Sequence, residues 1–307
     1  MTEVVVTQPI DHAGIDLLRA AGITVHQATS TALDELAPLL ARADGAITRN
    51  WGFPEAALAL APNLRVISVH GTGTDRIARA AAEARGIRIY RTPGTNAQSV
   101  AEHALGMTIA AARCIPEADA ATRAGDFDFR ERVRGMELAG KTLGLWGYGR
   151  IAASFGAMAR GIGMRVVVLS SHATPEALAE AGVERVADAA DLLAQADVLS
   201  LHGIPDGKPL IGAGELSQMR PGAVLVNTAR GALVDEAALI AALEAGQLRA
   251  AALDVFSEEP LPANSPLCSC PNLLLTPHIG GSTQEALVRT SLSAAQSVLD
   301  GLGLAAA

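Results

Sequence analysis

The stretch LGLWGYGRIAASFG, residues 143–156, runs an apolar segment into Gly147, Tyr148 and Gly149 and continues with apolar residues at helical spacing. A strand that enters a glycine turn and leaves as a helix is the setting in which a backbone cradles a pyrophosphate. Gly147 permits the tight turn. Gly149 lets the backbone approach phosphate, whose charge then meets free N–H groups and the positive end of a helix starting near Arg150. The third glycine of such a turn serves helix–strand packing, and Ala152, which replaces it, adds one methyl. Gly147, Tyr148, Gly149, Arg150 and Ile151 are therefore candidate dinucleotide contacts.

An acidic residue that binds the ribose hydroxyls is expected about 20 residues further on. The run RVVVLSSHAT, residues 165–174, ends instead in Ser170, Ser171 and His172. With no carboxylate to repel it, a 2′-phosphate fits there, and two hydroxyls and an imidazole can donate hydrogen bonds to it. No Arg or Lys accompanies them to hold it firmly. The stretch admits NADP more readily than an ordinary NAD site does and leaves NAD open.

Outward from this turn, short apolar runs alternate with helical patterns, the rhythm of parallel sheets covered by helices on both faces. Strands are expected near 4–7, 23–26, 45–48, 66–70 and 87–90, with helices at 11–21, 31–42 and 74–85. A second series of strands is expected at 142–146, 165–169, 197–201, 222–227, 250–254 and 272–275. Helical spacing from Asn96 to Arg113 follows the Pro93–Gly94 breaker and starts the crossing between the two series, and a last helix is expected within 282–302. The fold class is thus α/β, with two doubly wound parallel-sheet domains.

The 307 residues, 50% hydrophobic and 18% charged, suffice for one large or two medium cores. Lys and Arg number 24 against 32 Asp and Glu, and the net charge of -8 argues against nucleic acid or an anionic membrane surface as partner. An anionic substrate must then be met by a local positive site. The opening MTEVVVTQPI has no basic n-region, and no apolar run reaches the roughly 18 residues of a membrane span, so a cytoplasmic protein is expected. Cys114, Cys268 and Cys270 are an odd number and suggest no disulfide framework. Cys268 and Cys270 have no second pair or histidine cluster nearby, and no metal site is expected.

Three further segments end apolar strands of the second series: VLVNTARGALVDEAAL (224–239), AALDVFSEEPLP (251–262) and LLLTPHIGGST (273–283). Ligands of open α/β sheets bind at the carboxyl ends of strands, so Arg230, Glu259 and His278 are expected to converge. The planar fork of Arg230 can hold a carboxylate and polarise a carbonyl. His278 can donate a proton, or as a neutral base remove one. Glu259 bonded to the imidazole would favour its charged form and fix its orientation.

These strings, together with TPGTNAQSVAEHALG (92–106) and ELAGKTLG (137–144), resemble the D-isomer-specific 2-hydroxyacid dehydrogenases, which include glyoxylate/hydroxypyruvate reductases, D-lactate dehydrogenases and phosphoglycerate dehydrogenases. The resemblance runs from about Asp44 to Asp300 in five ordered motifs. It implies a Rossmann-type nucleotide domain (96–281), a discontinuous flavodoxin-like substrate domain (1–95 and 282–307), and a homodimer. It also implies catalytic roles for Arg230, Glu259 and His278, and adds His202, Thr228, Ala229, Asp254 and Gly280 to the cofactor candidates. Asp254 resembles the carboxylate near the nicotinamide amide, whereas His202 is read as packing or cofactor-lining. On the substrate side, the resemblance points to the backbone N–H groups of Thr72 and Gly73 and to Arg49 and Asn50, with Trp51 either narrowing the cleft or packing its loop. The loop 201–212 is shorter than the family's usual one and lacks its threonine.

The leading expectation is NAD(P)-dependent reduction of a small 2-keto acid to the D-2-hydroxy acid, with glyoxylate or hydroxypyruvate first. D-3-phosphoglycerate oxidation is the nearest rival, weakened by a chain that ends without room for regulatory domains. Formate oxidation ranks lower because Glu259 is acidic where glutamine is usual. A non-catalytic NAD(P)-sensing, corepressor-like protein is the alternative of a different class, since fold alone does not decide function.

Overall fold

The computed structural model describes residues 1–304. Within them the chain forms two compact units, one of Met1–Asn96 with the chain from Gly281 onward, the other Ala97–Gly280. Residues 305–307, the end of the expected first-domain tail, lie outside the described residues.

In the first unit the strands are β1 (Glu3–Val6), β2 (Thr24–Gln27), β3 (Gly45–Thr48), β4 (Val66–Val69) and β5 (Arg88–Arg91). All pair in parallel, in the order β2-β1-β3-β4-β5, a flavodoxin-like sheet. The central strands GAIT and VISV are buried at every residue, as expected where helices cover both faces. Each fully buried Val, Leu or Ile contributes about 1.5–3 kcal/mol. The Gln284–Leu302 helix packs on the His12–Ala20 helix and on β3, β4 and β5. Its buried face of Ala286, Ala294, Ala295, Val298 and Leu299 joins Val4, Ile15, Leu18 and Val66 in one core.

The second unit holds β6 (Thr142–Trp146), β7 (Arg165–Leu169), β8 (Glu184–Arg185), β9 (Val198–Leu201), β10 (Ala223–Asn227), β11 (Leu248–Leu253) and β12 (Leu273–Leu275). Their order, β12-β11-β10-β9-β6-β7-β8, is the Rossmann order with one added strand, and it reverses direction between β6 and β9. The Arg150–Gly161 helix and the small-residue face of the Ala97–Arg113 helix close over this sheet, with Ala101, Ala104, Ala152 and Phe155 in its core. Ala152 is fully buried there, so the added methyl is accommodated in the packing.

The helix expected over 74–85 is confined to Arg79–Ala84. Its first residues are used otherwise: the Phe53 N–H donates to the Arg76 carbonyl at 2.9 Å and the Ala78 N–H to that of Phe53 at 3.0 Å, forming a bridge that helical geometry would break. The two-residue β8 and the Glu55–Ala59 and Ile115–Arg123 helices were not anticipated. Among the described residues no helix is long and apolar enough to cross a membrane.

Candidate active site

Gly147 sits at the carboxyl end of β6, beside β9, where the strand order reverses. Its φ of +99° is one that side chains rarely adopt, and a Cβ there would lie 2.8 Å from the His202 carbonyl oxygen. Gly149 precedes the Arg150–Gly161 helix, whose first turn receives no side-chain cap. A Cβ built on Gly149 meets nothing within 4 Å, so open space adjoins these N–H groups. After β10, the buried Thr228 hydroxyl has no hydrogen-bond partner. An uncapped helix start, an open glycine face and an orphaned hydroxyl at one sheet edge fit a dinucleotide.

Arg230 follows β10 on a loop stapled by Asn227, which accepts the Ala229 N–H at 3.0 Å and donates to the Arg230 carbonyl at 2.8 Å. The next residue, Gly231, lies so close to the next loop that a Cβ would overlap the Phe256 carbonyl group. This approach sets the Arg230 loop against the Asp254–Glu259 loop that follows β11. Glu259 accepts the Phe256 N–H through Oε1 at 3.1 Å and faces His278 Nδ1 through Oε2 at 3.0 Å. With Nδ1 engaged, the other ring nitrogen of His278 is the one able to meet a substrate. The pair is partly shielded, with side-chain exposures of 15% for Glu259 and 32% for His278, which strengthens the bond relative to open water.

His278 has φ +55°, a costly conformation for a non-glycine residue. What holds it is Asp254, which is 1% exposed. One carboxylate oxygen accepts the Thr276 hydroxyl at 2.6 Å and the Ile279 N–H at 2.9 Å, and the other accepts the Gly280 N–H at 2.8 Å. His103 Nε2 adds a contact at 3.3 Å. Burial alone would raise the Asp254 carboxyl, but the hydrogen bonds from His103, Thr276, Ile279 and Gly280 outweigh it and hold the group below its ordinary value.

Both Asp254 oxygens accept donors of the chain itself, so this carboxylate shapes the Thr276–Gly280 turn. Gly280 is buried and also tied through its carbonyl, which accepts the Ser99 hydroxyl at 2.7 Å. The His202 imidazole packs beside the Phe155 ring and pairs with Ser200 Oγ at 3.1 Å, and burial lowers its pKa to about 4, contacts that match the packing half of its expected role. Ser170 is 9% exposed, and its Oγ accepts the His172 and Ala173 N–H groups at 3.3 and 3.1 Å, so its hydroxyl braces its own turn. Ser171 and His172 remain exposed. The cation that sequence reasoning found missing lies on the neighbouring strand: Arg185 Nη2 donates to the Ser170 carbonyl at 3.0 Å.

Arg49, Asn50, Thr72 and Gly73 belong to the first unit, at the carboxyl ends of β3 and β4. Arg49 donates to the Pro9 carbonyl at 2.8 Å, and burial lowers its pKa. The Trp51 ring meets Phe53 edge to face at 6.0 Å and packs on the core beneath β3 and β4, a loop-packing role.

Residues 105–280 match the family described as D-isomer specific 2-hydroxyacid dehydrogenase, NAD binding domain, and the chain belongs to this family. It is 36% identical over 302 residues to a D-3-phosphoglycerate dehydrogenase of Archaeoglobus fulgidus, covering 97% of this chain and 57% of that one. The chain thus spans little more than half the length of that relative. To a glyoxylate reductase of Aeropyrum pernix it is 39% identical over 252 residues, covering 79% of this chain and 74% of the other. An acyclic imino acid reductase solved in complex with NADPH and D-Arg superimposes with a TM-score of 0.84 at 25% identity, covering 95% and 94% of the two chains.

Proposed function

We propose that the protein interconverts a small 2-keto acid and its D-2-hydroxy acid with a nicotinamide cofactor, reducing glyoxylate or hydroxypyruvate. The observation that carries this reading is the Glu259–His278 pair at 3.0 Å, on the sheet edge that also bears Arg230 and the Gly147 turn. A reduced nicotinamide ring, when bound, supplies the hydride that the carbonyl carbon accepts. The chain's residues do the rest. Arg230 holds the substrate carboxylate and draws charge toward the carbonyl oxygen. Protonated His278 gives its proton to that oxygen as it becomes a hydroxyl, and Glu259 steadies the imidazolium until then. Hydride and proton together convert ketone to alcohol.

Gly147, Tyr148, Gly149, Arg150, Ile151, Thr228 and Ala229 are the proposed cofactor contacts, and NADPH serves at least as well as NADH. Thr72, Gly73, Arg49 and Asn50 are proposed substrate contacts on the first unit. The reading also includes a cytoplasmic homodimer. The Ile115–Arg123 and Phe129–Arg132 helices bury none of their residues, while Phe127 between them is 67% exposed, an unusual surface for a monomer. Sedimentation equilibrium should give twice the chain mass.

D-3-phosphoglycerate oxidation is the second reading, favoured by the identity to relatives of that name. The deciding experiment assays glyoxylate, hydroxypyruvate, pyruvate and 3-phosphohydroxypyruvate with both reduced nicotinamides. Turnover greatest with glyoxylate or hydroxypyruvate supports the proposal. Preference for the phosphorylated acid transfers it to the second reading, and no turnover with any of them removes the enzyme reading.

A further inference from the structure

The turn that follows β7 lacks the carboxylate that would exclude a 2′-phosphate, and its first hydroxyl is engaged within the turn. What it has gained is a guanidinium from outside. β8 pairs with β7 in parallel with Arg185 opposite Val168, so Arg185 stands two positions short of Ser170 in register, and its long side chain reaches forward to the Ser170 carbonyl. That contact engages one of the five N–H donors of the group. Arg185 forms no ion pair among the described residues, and its neighbour Glu184 is held at 3.1 Å by Arg165 instead. An exposed, uncompensated cation therefore lies beside the exposed Ser171 and His172, on the strand end where the ribose of a dinucleotide held by the Gly147 turn would come to rest.

We propose that Arg185 is the residue that selects the phosphorylated cofactor: anchored by one donor to the Ser170 carbonyl, it offers its remaining donors to a ribose 2′-phosphate, with Ser171 and His172 completing the contact. A guanidinium recognises phosphate by charge-assisted, often paired hydrogen bonds, the strongest kind available at an exposed site. This inference rests on the reading of the Gly147–Gly149 turn as a dinucleotide site.

The test measures equilibrium binding of NADP+, NAD+ and adenosine 2′,5′-bisphosphate by titration calorimetry, with no substrate and no turnover. The bisphosphate carries the 2′-phosphate without a nicotinamide. Wild-type protein should bind all three. R185Q, which keeps an N–H donor for the Ser170 carbonyl, should weaken NADP+ and the bisphosphate by about 10-fold or more while NAD+ changes less than about twofold. R185K, which keeps the charge, should recover part of the loss. Equal weakening of NADP+ and NAD+ in R185Q would assign Arg185 to propping the turn and overturn the proposal. Wild-type binding of NAD+ alone would overturn it while leaving the dinucleotide turn intact, and binding of neither nucleotide would remove both.

Discussion

Oε2 of Glu259 lies 3.0 Å from Nδ1 of His278, while Oε1 of the same carboxylate accepts the Phe256 N–H. Anchored at one oxygen, the carboxylate presents the other to the imidazole in a fixed direction. The pair therefore sets the tautomer and the orientation of His278.

Removing the imidazole removes the proton source. H278A is expected to lower turnover by about 100-fold or more while nucleotide binding stays within about twofold of wild type. Steady-state assays and titration calorimetry check the two halves separately, and an unchanged rate would exclude His278 from the chemistry.

In E259Q the hydrogen bond is kept and the charge is lost. A neutral neighbour no longer pairs with the imidazolium that donates the proton, so kcat for keto-acid reduction should fall by about 10-fold or more while nucleotide binding stays within about twofold of wild type. Steady-state assays and titration calorimetry measure the two, and an unchanged kcat would show that the charge of Glu259 is not used.

Asp254 accepts N–H groups from both residues that follow His278. D254N turns part of that acceptor into a donor facing donors. Stability should fall by about 1–3 kcal/mol and turnover should fall with it, because the left-handed His278 loses its support. Urea titration and steady-state assays on the same preparation measure both, and an unchanged turnover in a destabilised protein would separate Asp254 from the positioning of His278.

Acid should destabilise the fold through two imidazoles. Burial, aided by the Arg49 charge, lowers His70 to about 4, and burial lowers His202 to about 4, against 6.5 for the free group. Between these values the unfolded chain binds more protons than the folded one. Stability is therefore complete above pH 6.5 and is lost as pH falls toward 4, by at most about 3 kcal/mol for each group. Urea titrations at pH 7.0, 5.5 and 4.5 should fall in that order, to about these limits, and H70Q should flatten the decline.

The strands and their parallel, doubly wound class were legible because fully buried strands such as VISV and AVLVN carry the apolar runs of a parallel sheet. The Glu184–Arg185 strand left no such mark, since two exposed charged residues at a sheet edge have no apolar face to betray them. For the same reason Arg185 went unseen beside Ser170: 15 positions separate them in sequence, and only the pairing of β7 with β8 brings them together. Asp254 and His202 were legible as residues near a strand end but not in their contacts, because the direction of a side chain depends on the local φ and ψ of loops. A left-handed histidine after Pro277 is not something periodicity can signal. The only trace of the Arg185 contact in the sequence was the serine turn itself, which carries no counter-charge of its own.

The N–H of Gly14 donates to the hydroxyl of Ser291, 277 positions later in the chain. Sequence order and folding order therefore part company in this molecule. As the polypeptide emerges from the ribosome, the middle portion is complete and free to close its sheet while the opening residues still await the helix that covers them. The amino-terminal portion cannot complete its packing before that helix is made, and until then Ile15, Leu18 and Val66 lack part of their apolar cover.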